Sequence, residues 1–222
     1  MYNYCKLFKM AEILLDLRLK RQTHKDIARA QDIIVKTIYE VYERCVLHGG
    51  TAIWRCYKGN RFSEDIDVYI NKNPAKIKEL FEKLEKKGFV IEKKKIGANS
   101  IYSTLKFDRT IVRFEALFKT INASLKDYEL CDGNFISVYC LEPEELIVEK
   151  INTYNKRLKI RDLYDIYFLL RLVKDKNIIL PKLKSLISNF KNPLDENNLK
   201  TIILEGIVPH SNKILEYIQN WK

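Results

Sequence analysis

Glycine and proline are scarce, with 7 and 5 in 222 residues. That composition leaves no room for flexible linkers or low-complexity spacers, and no internal repeat is present. No apolar run approaches the about 18 residues of a membrane-spanning helix. The opening segment, Met1 to Arg21, carries an apolar stripe broken by charges. It lacks the continuous apolar stretch and small-residue cleavage site of a secretion signal. A cytoplasmic location and no membrane partner are therefore expected. Cysteine is also sparse and odd in number: Cys5, Cys45, Cys56, Cys131 and Cys140, with no C-x-x-C spacing. This argues against a zinc site or a disulfide framework, and the five are expected to behave as small buried hydrophobes.

Positive charge is plentiful. Forty Lys and Arg oppose 29 Asp and Glu, for a net charge of +11. A basic surface attracts phosphates, so nucleic acid is one expected partner, and a general lysine bias is the other explanation. The basic stretch around Lys93, Lys94 and Lys95, with Lys83, Lys86 and Lys87 nearby, is open to both readings. It can track an RNA backbone, or it is a solvated surface, because Glu82, Glu85 and Glu92 interleave.

Apolar residues recur at helical spacing from Thr23 to Cys45, with Thr23 as the expected N-cap and Asp26 three residues on. A second short helix is expected over Ala52 to Tyr57, after Gly49-Gly50-Thr51. Asp65 to Ile70 alternates as a half-buried strand. Pro74 opens a helix closed by Gly88. Strands are expected over 89–94, 101–107, 111–118 and, after the Asp132-Gly133 turn, 134–140. From Pro143 onward the pattern is helical: EELIVEKINTYNKRL, RDLYDIYFLLRLV, and two stretches after Pro181 and Asp195. The expected class is α+β. A block over 1–142, made of a small mixed sheet flanked by helices, precedes a helical block over 143–222.

Asp65 and Asp67 are two apart on a strand, so both carboxylates point to one face. A divalent cation relieves the repulsion between two such acids, although a solvated strand face tolerates acids as well. Gly49-Gly50-Thr51, ahead of a helix, lets a phosphate approach backbone N–H groups. Thr51, Arg61 and Ser63 add donors. In IVRFEALF, Arg113, Glu115 and Leu117 share one face, and an acid in so apolar a strand is costly unless it is paired or binds metal. Glu115 is the candidate third acid, pairing with Arg113 or a lysine is the alternative, and Asp108 in a hairpin turn is the fallback. His48 beside the glycines reads as a wall residue.

The segments HGGTAI, RFSEDIDVYI, VRFEALF and EKINTYNKRLKIRDLYDIYFLL together resemble the AbiEii/AbiGii toxin family of nucleotidyltransferases, within the polymerase-beta-like superfamily. The resemblance implies a polymerase-beta-type core followed by a C-terminal helical bundle. It implies that Asp65 and Asp67 hold Mg²⁺ (or Mn²⁺), and that Gly49 and Gly50 bind the nucleotide. It matches Lys150 to the family's motif lysine, and Asp162 and Asp165 to its paired acids. On residue pattern alone, Lys150 can face the triphosphate. Asp162 can equally be a helix N-cap, and Arg161 either contacts nucleotide or pairs with these acids. The implied activity is transfer of a nucleotide from an NTP to a hydroxyl, with RNA, tRNA in particular, as acceptor and two metal ions assisting. The implied partner is a cognate antitoxin encoded nearby. A protein hydroxyl as acceptor, or nucleotide binding without turnover, are the competing readings.

Overall fold

The computed structural model describes residues 14–221. Cys5 and most of the N-terminal apolar stripe lie outside them. A four-residue helix α1 (Leu15–Arg18) leads into α2 (Gln22–Tyr39), whose buried Ala30, Ile34 and Ile38 recur every four residues and face the core. Arg21 is its N-cap, without a side-chain bond, so Thr23 sits inside the helix rather than capping it. The helix stops six residues short of Cys45. Val41, Tyr42 and Cys45 are buried all the same, but they lie beyond the helix, where the Tyr39 hydroxyl donates to the Cys45 carbonyl at 2.6 Å. Burial, not helicity, produced their spacing.

A three-residue strand β1 (Val46–His48) runs straight into α3 (Gly49–Cys56), which therefore starts at the glycines and not after them. Next come β2 (Asp65–Ile70) and α4 (Pro74–Lys86). Asn73 caps α4, accepting from the Ala75 and Lys76 N–H groups at 3.1 Å, and Pro74 fills the position that needs no donor. Strands β3 (Phe89–Ile96), β4 (Ser100–Phe107), β5 (Thr110–Phe118), β6 (Ser124–Glu129) and β7 (Phe135–Cys140) follow. Strand β6 has no counterpart in the sequence expectation. It is a polar edge strand, SLKDYE, with little apolar alternation to reveal it.

The strands form one mixed sheet in the order β3-β4-β5-β2-β1-β7-β6, with β2 parallel to β5 and β1 parallel to β7. Helices α2 and α4 pack on the face lined by Ile66, Val68, Leu105, Val112 and Phe114. The opposite face is covered by helices only over its β2-β1-β7 part, through Tyr69, Val46 and Tyr139.

The C-terminal helices, which share one apolar cluster with that part of the sheet, are α5 (Pro143–Arg157), α6 (Ile160–Leu169), α7 (Lys176–Ser188), α8 (Leu199–Ile202) and α9 (Ser211–Asn220), with a 3₁₀ turn at Glu196–Asn198. A reciprocal cap between Glu142 and Glu145 starts α5. Helix α7 contains Pro181 and does not begin after it, because Asp175 caps the chain earlier, accepting from the Asn177 N–H at 2.9 Å. Among the described residues no helix is long and apolar enough to cross a membrane.

Candidate active site

Parallel pairing of β2 with β5 sets Asp67 beside Glu115 and Asp65 beside Arg113. Antiparallel pairing of β1 sets His48 on the other side of Asp67. Asp65, Asp67 and Glu115 therefore share one face of the sheet. Burial raises the Asp67 pKa above the usual carboxylate range, and Asp65 and Glu149 push the same way against His48 and Lys150. Burial likewise raises Glu115, helped by Asp67 and Asp65. Arg113 donates to both Asp65 oxygens, at 2.6 and 2.9 Å, and not to Glu115. The sequence alternative for Glu115 thus applies to its neighbour.

The glycines explain the turn. Gly49 has φ of 71°, and a Cβ there would overlap the Asp67 carboxylate. A Cβ on Gly50 would lie 2.6 Å from Arg61 Nη2 and run into Ser63 Oγ. Only glycine lets the start of α3 sit against the metal-ligand candidate on one side and Arg61 and Ser63 on the other. Thr51 is fully buried and its hydroxyl donates to the Asp65 carbonyl. It supports the start of β2 from behind.

Arg61, Lys150, Asp162 and Asp165 form a buried ion network, to which the exposed Arg157 adds from outside. Arg61 donates twice to Asp165, both at 2.6 Å. Lys150 Nζ lies 2.8 Å from Asp165 and 3.6 Å from Asp162. Arg157 donates to both Asp162 oxygens, at 2.7 and 2.8 Å. Burial opposes ionisation of Asp165, but Arg61 and Lys150 overcome it and hold its pKa below the usual value. Three cations against two acids leave the network one positive charge in excess, and Arg61 is the member beside Gly50. Asp162 is not the N-cap of α6; Lys159 occupies that position, and the Asp162 side chain is wholly buried on Arg157. Arg161 is half-buried and joins none of the ion pairs found among the described residues.

A sequence profile of the nucleotidyl transferase AbiEii toxin family, a type IV toxin–antitoxin system, matches residues 38–201. The chain belongs to this family. Its fold is similar to MenT4, a nucleotidyltransferase toxin from Mycobacterium tuberculosis H37Rv, with a TM-score of 0.62 at 16% identity over 90% of this chain and 85% of that one. It is also similar to JHP933 from Helicobacter pylori, with a TM-score of 0.62 at 17% identity over 89% of both chains. No curated protein sequence matches it.

One constellation in this AbiEii chain escaped the sequence reading. Glu149 of α5 takes His48 Nδ1 at 3.2 Å and the Tyr69 hydroxyl, while the His48 and Tyr69 rings stack at 4.0 Å. Burial opposes the Glu149 charge, but His48 and Tyr69 win and keep its pKa low. Glu149 precedes the motif lysine, and the two side chains leave α5 in different directions. Only the sheet order, which puts His48 and Tyr69 on neighbouring strands, reveals the cluster. Asp108, the fallback acid, sits in the β4–β5 turn with φ of 52°, away from the carboxylate row.

Proposed function

We propose that this AbiEii-family protein is a metal-dependent nucleotidyltransferase that moves a nucleotide from an NTP onto a hydroxyl of RNA, with tRNA as the acceptor class. The observation that carries this reading is the side-by-side placement of Asp67 and Glu115, with Asp65 beside them, against the Gly49-Gly50 turn. Burial, and after it the neighbouring acids, raises the pKa of Asp67 and Glu115, and the donor set is hard oxygen, which suits Mg²⁺ or Mn²⁺. Among the described residues no three His, Cys, Asp or Glu side chains are placed to hold a metal ion together, and both Asp65 oxygens accept from Arg113. When bound by Asp65, Asp67 and Glu115, the metal supplies positive charge to the transferring phosphate.

The chain's own residues do the rest. The N–H groups at the start of α3, with Ser63 and the surplus positive charge of the Arg61 network, hold the triphosphate. The acceptor oxygen bonds to the α-phosphorus, pyrophosphate leaves, and the hydroxyl proton passes to one of the carboxylates on this face. Lys150, Asp162 and Asp165 act by fixing Arg61. The His48–Glu149–Tyr69 cluster braces the end of β1, which leads into Gly49. The catalytic block covers 1–142 and the helical companion 143–222. As in other type IV systems, the partner is an antitoxin encoded nearby.

The test is transfer of label from each α-³²P NTP to total RNA with Mg²⁺, for wild type and Asp67→Asn. RNA labelling that the substitution abolishes supports the reading. Labelled protein bands instead replace the acceptor, and saturable NTP binding without any transfer overturns catalysis.

A further inference from the structure

Four rows of side chains cross the sheet on its catalytic face. Lys95 of β3, Tyr102 of β4, Glu115 of β5, Asp67 of β2 and His48 of β1 make one row. Lys93, Thr104, Arg113 and Asp65 make the next. Val90, Lys106 and Ile111 continue it outward, and Ser100 with Leu117 lies on the other side. Over β3, β4 and β5 nothing packs on this face among the described residues. Ile111 is 50% and Leu117 42% exposed, and Lys93, Lys95, Arg113 and Glu115 are exposed as well. An open surface, basic and carrying the Tyr102 ring, thus runs from the edge strand to the carboxylates.

The register also sorts the lysines that the sequence left undivided. Lys94 points to the opposite face, its Nζ 4.7 Å from the Phe81 ring centroid. Lys83 and Lys87 turn to Glu40, with Glu79 also near Lys83. Lys93 and Lys95 remain on the catalytic face, and Lys93 Nζ lies 5.3 Å from the Tyr102 ring centroid. A bulge between Ile91 and Lys93 sets this parity. Glu92, 3.8 Å from Lys106 Nζ, is the acid at the margin.

We propose that the uncovered face of β3-β4-β5 is the platform on which the acceptor strand lies, single-stranded, with its terminal hydroxyl at the carboxylates. This deepens the nucleotidyl-transfer reading and rests on its RNA acceptor. Tyr102 stacks a base, and Lys93, Lys95 and Lys106 hold phosphates. Sheet faces carrying aromatic and basic side chains bind unpaired RNA in this way. Neighbouring strands are about 4.8 Å apart, so Lys95 stands about 14 Å from Asp67, which is a reach of only a few nucleotides.

The test is fluorescence anisotropy of a labelled single-stranded oligoribonucleotide with a free 3′ hydroxyl, titrated across salt, together with RNA labelling from NTP. Tyr102→Ala is expected to weaken binding about tenfold. The double variant Lys93→Ala/Lys95→Ala is expected to flatten the salt slope by about 0.7 per lysine removed. NTP affinity stays at the wild-type level in both, and Lys83→Ala/Lys87→Ala, on the other side of the sheet, leaves RNA binding unchanged. If wild type labels RNA and both platform variants bind and label RNA as wild type does, the platform is overturned while the RNA acceptor stands. If wild type labels only protein, both readings fall together.

Discussion

At Asp67, burial and the neighbouring acids Asp65 and Glu149 act in the same direction. A carboxyl whose pKa is raised by folding costs stability once the pH climbs above its unfolded value, near 3.9. At neutral pH, Asp67→Asn is therefore expected to raise the melting temperature while transfer falls at least about a hundredfold. Mg²⁺ or Mn²⁺ should raise the melting temperature of the wild type and not of the variant; an equal rise in both would remove Asp67 from the ligand set. Asp165 works with the opposite sign. Its pKa is lowered, so its contribution is complete above the unfolded pKa and is lost as the pH falls through the folded value. Asp165→Ala strands Arg61 and Lys150 in the interior, at an expected cost of about 3–5 kcal/mol in denaturant unfolding. Stability that depends on pH as in the wild type below about pH 4 would contradict this. Gly49→Ala combines a left-handed backbone with overlap on Asp67, and is expected to cost about 1–3 kcal/mol.

Among the elements, the loop that carries Arg61 and Ser63 depends on a distant segment. The Phe62 N–H donates to the Ile202 carbonyl at 2.7 Å, the Leu204 N–H donates to the Asn60 carbonyl at 3.0 Å, and Arg61 bridges to Ile203. Leu204→Pro deletes one donor and is expected to cost about 1–3 kcal/mol and to weaken NTP binding. Wild-type NTP affinity in a destabilised variant would separate this strap from the site. Nothing in residues 199–204 advertises such a contact, since it runs through backbone groups that every residue has. Strand β6 was hidden by its want of apolar alternation and the true start of α7 by the proline inside it, whereas β2, with its strict alternation, and α4, with Pro74 ahead of an amphipathic run, were open to reading.

For the molecule as a whole, the second hydrophobic cluster takes in Val46, Ile53, Tyr69 and Leu141 from the first block. The helices after Pro143 share apolar surface with the sheet and should unfold with it in a single calorimetric transition. Two resolved transitions would show independent folding. The sequence by itself determined the strand that presents Asp65 and Asp67, the glycine turn, the α+β class and the family, because these depend on local alternation, backbone freedom and short motifs. Tertiary structure alone decided that Arg113 takes Asp65, that Asp162 and Asp165 bind Arg157, Lys150 and Arg61, and that His48 meets Glu149. It also decided which lysines face the catalytic side. The pairings of Arg113, Arg61 and His48 and the facing of the lysines are matters of register and packing between segments far apart in the chain, and those of Lys150 and Arg157 depend on how two successive helices pack; neither leaves a periodic trace in the residues that make it.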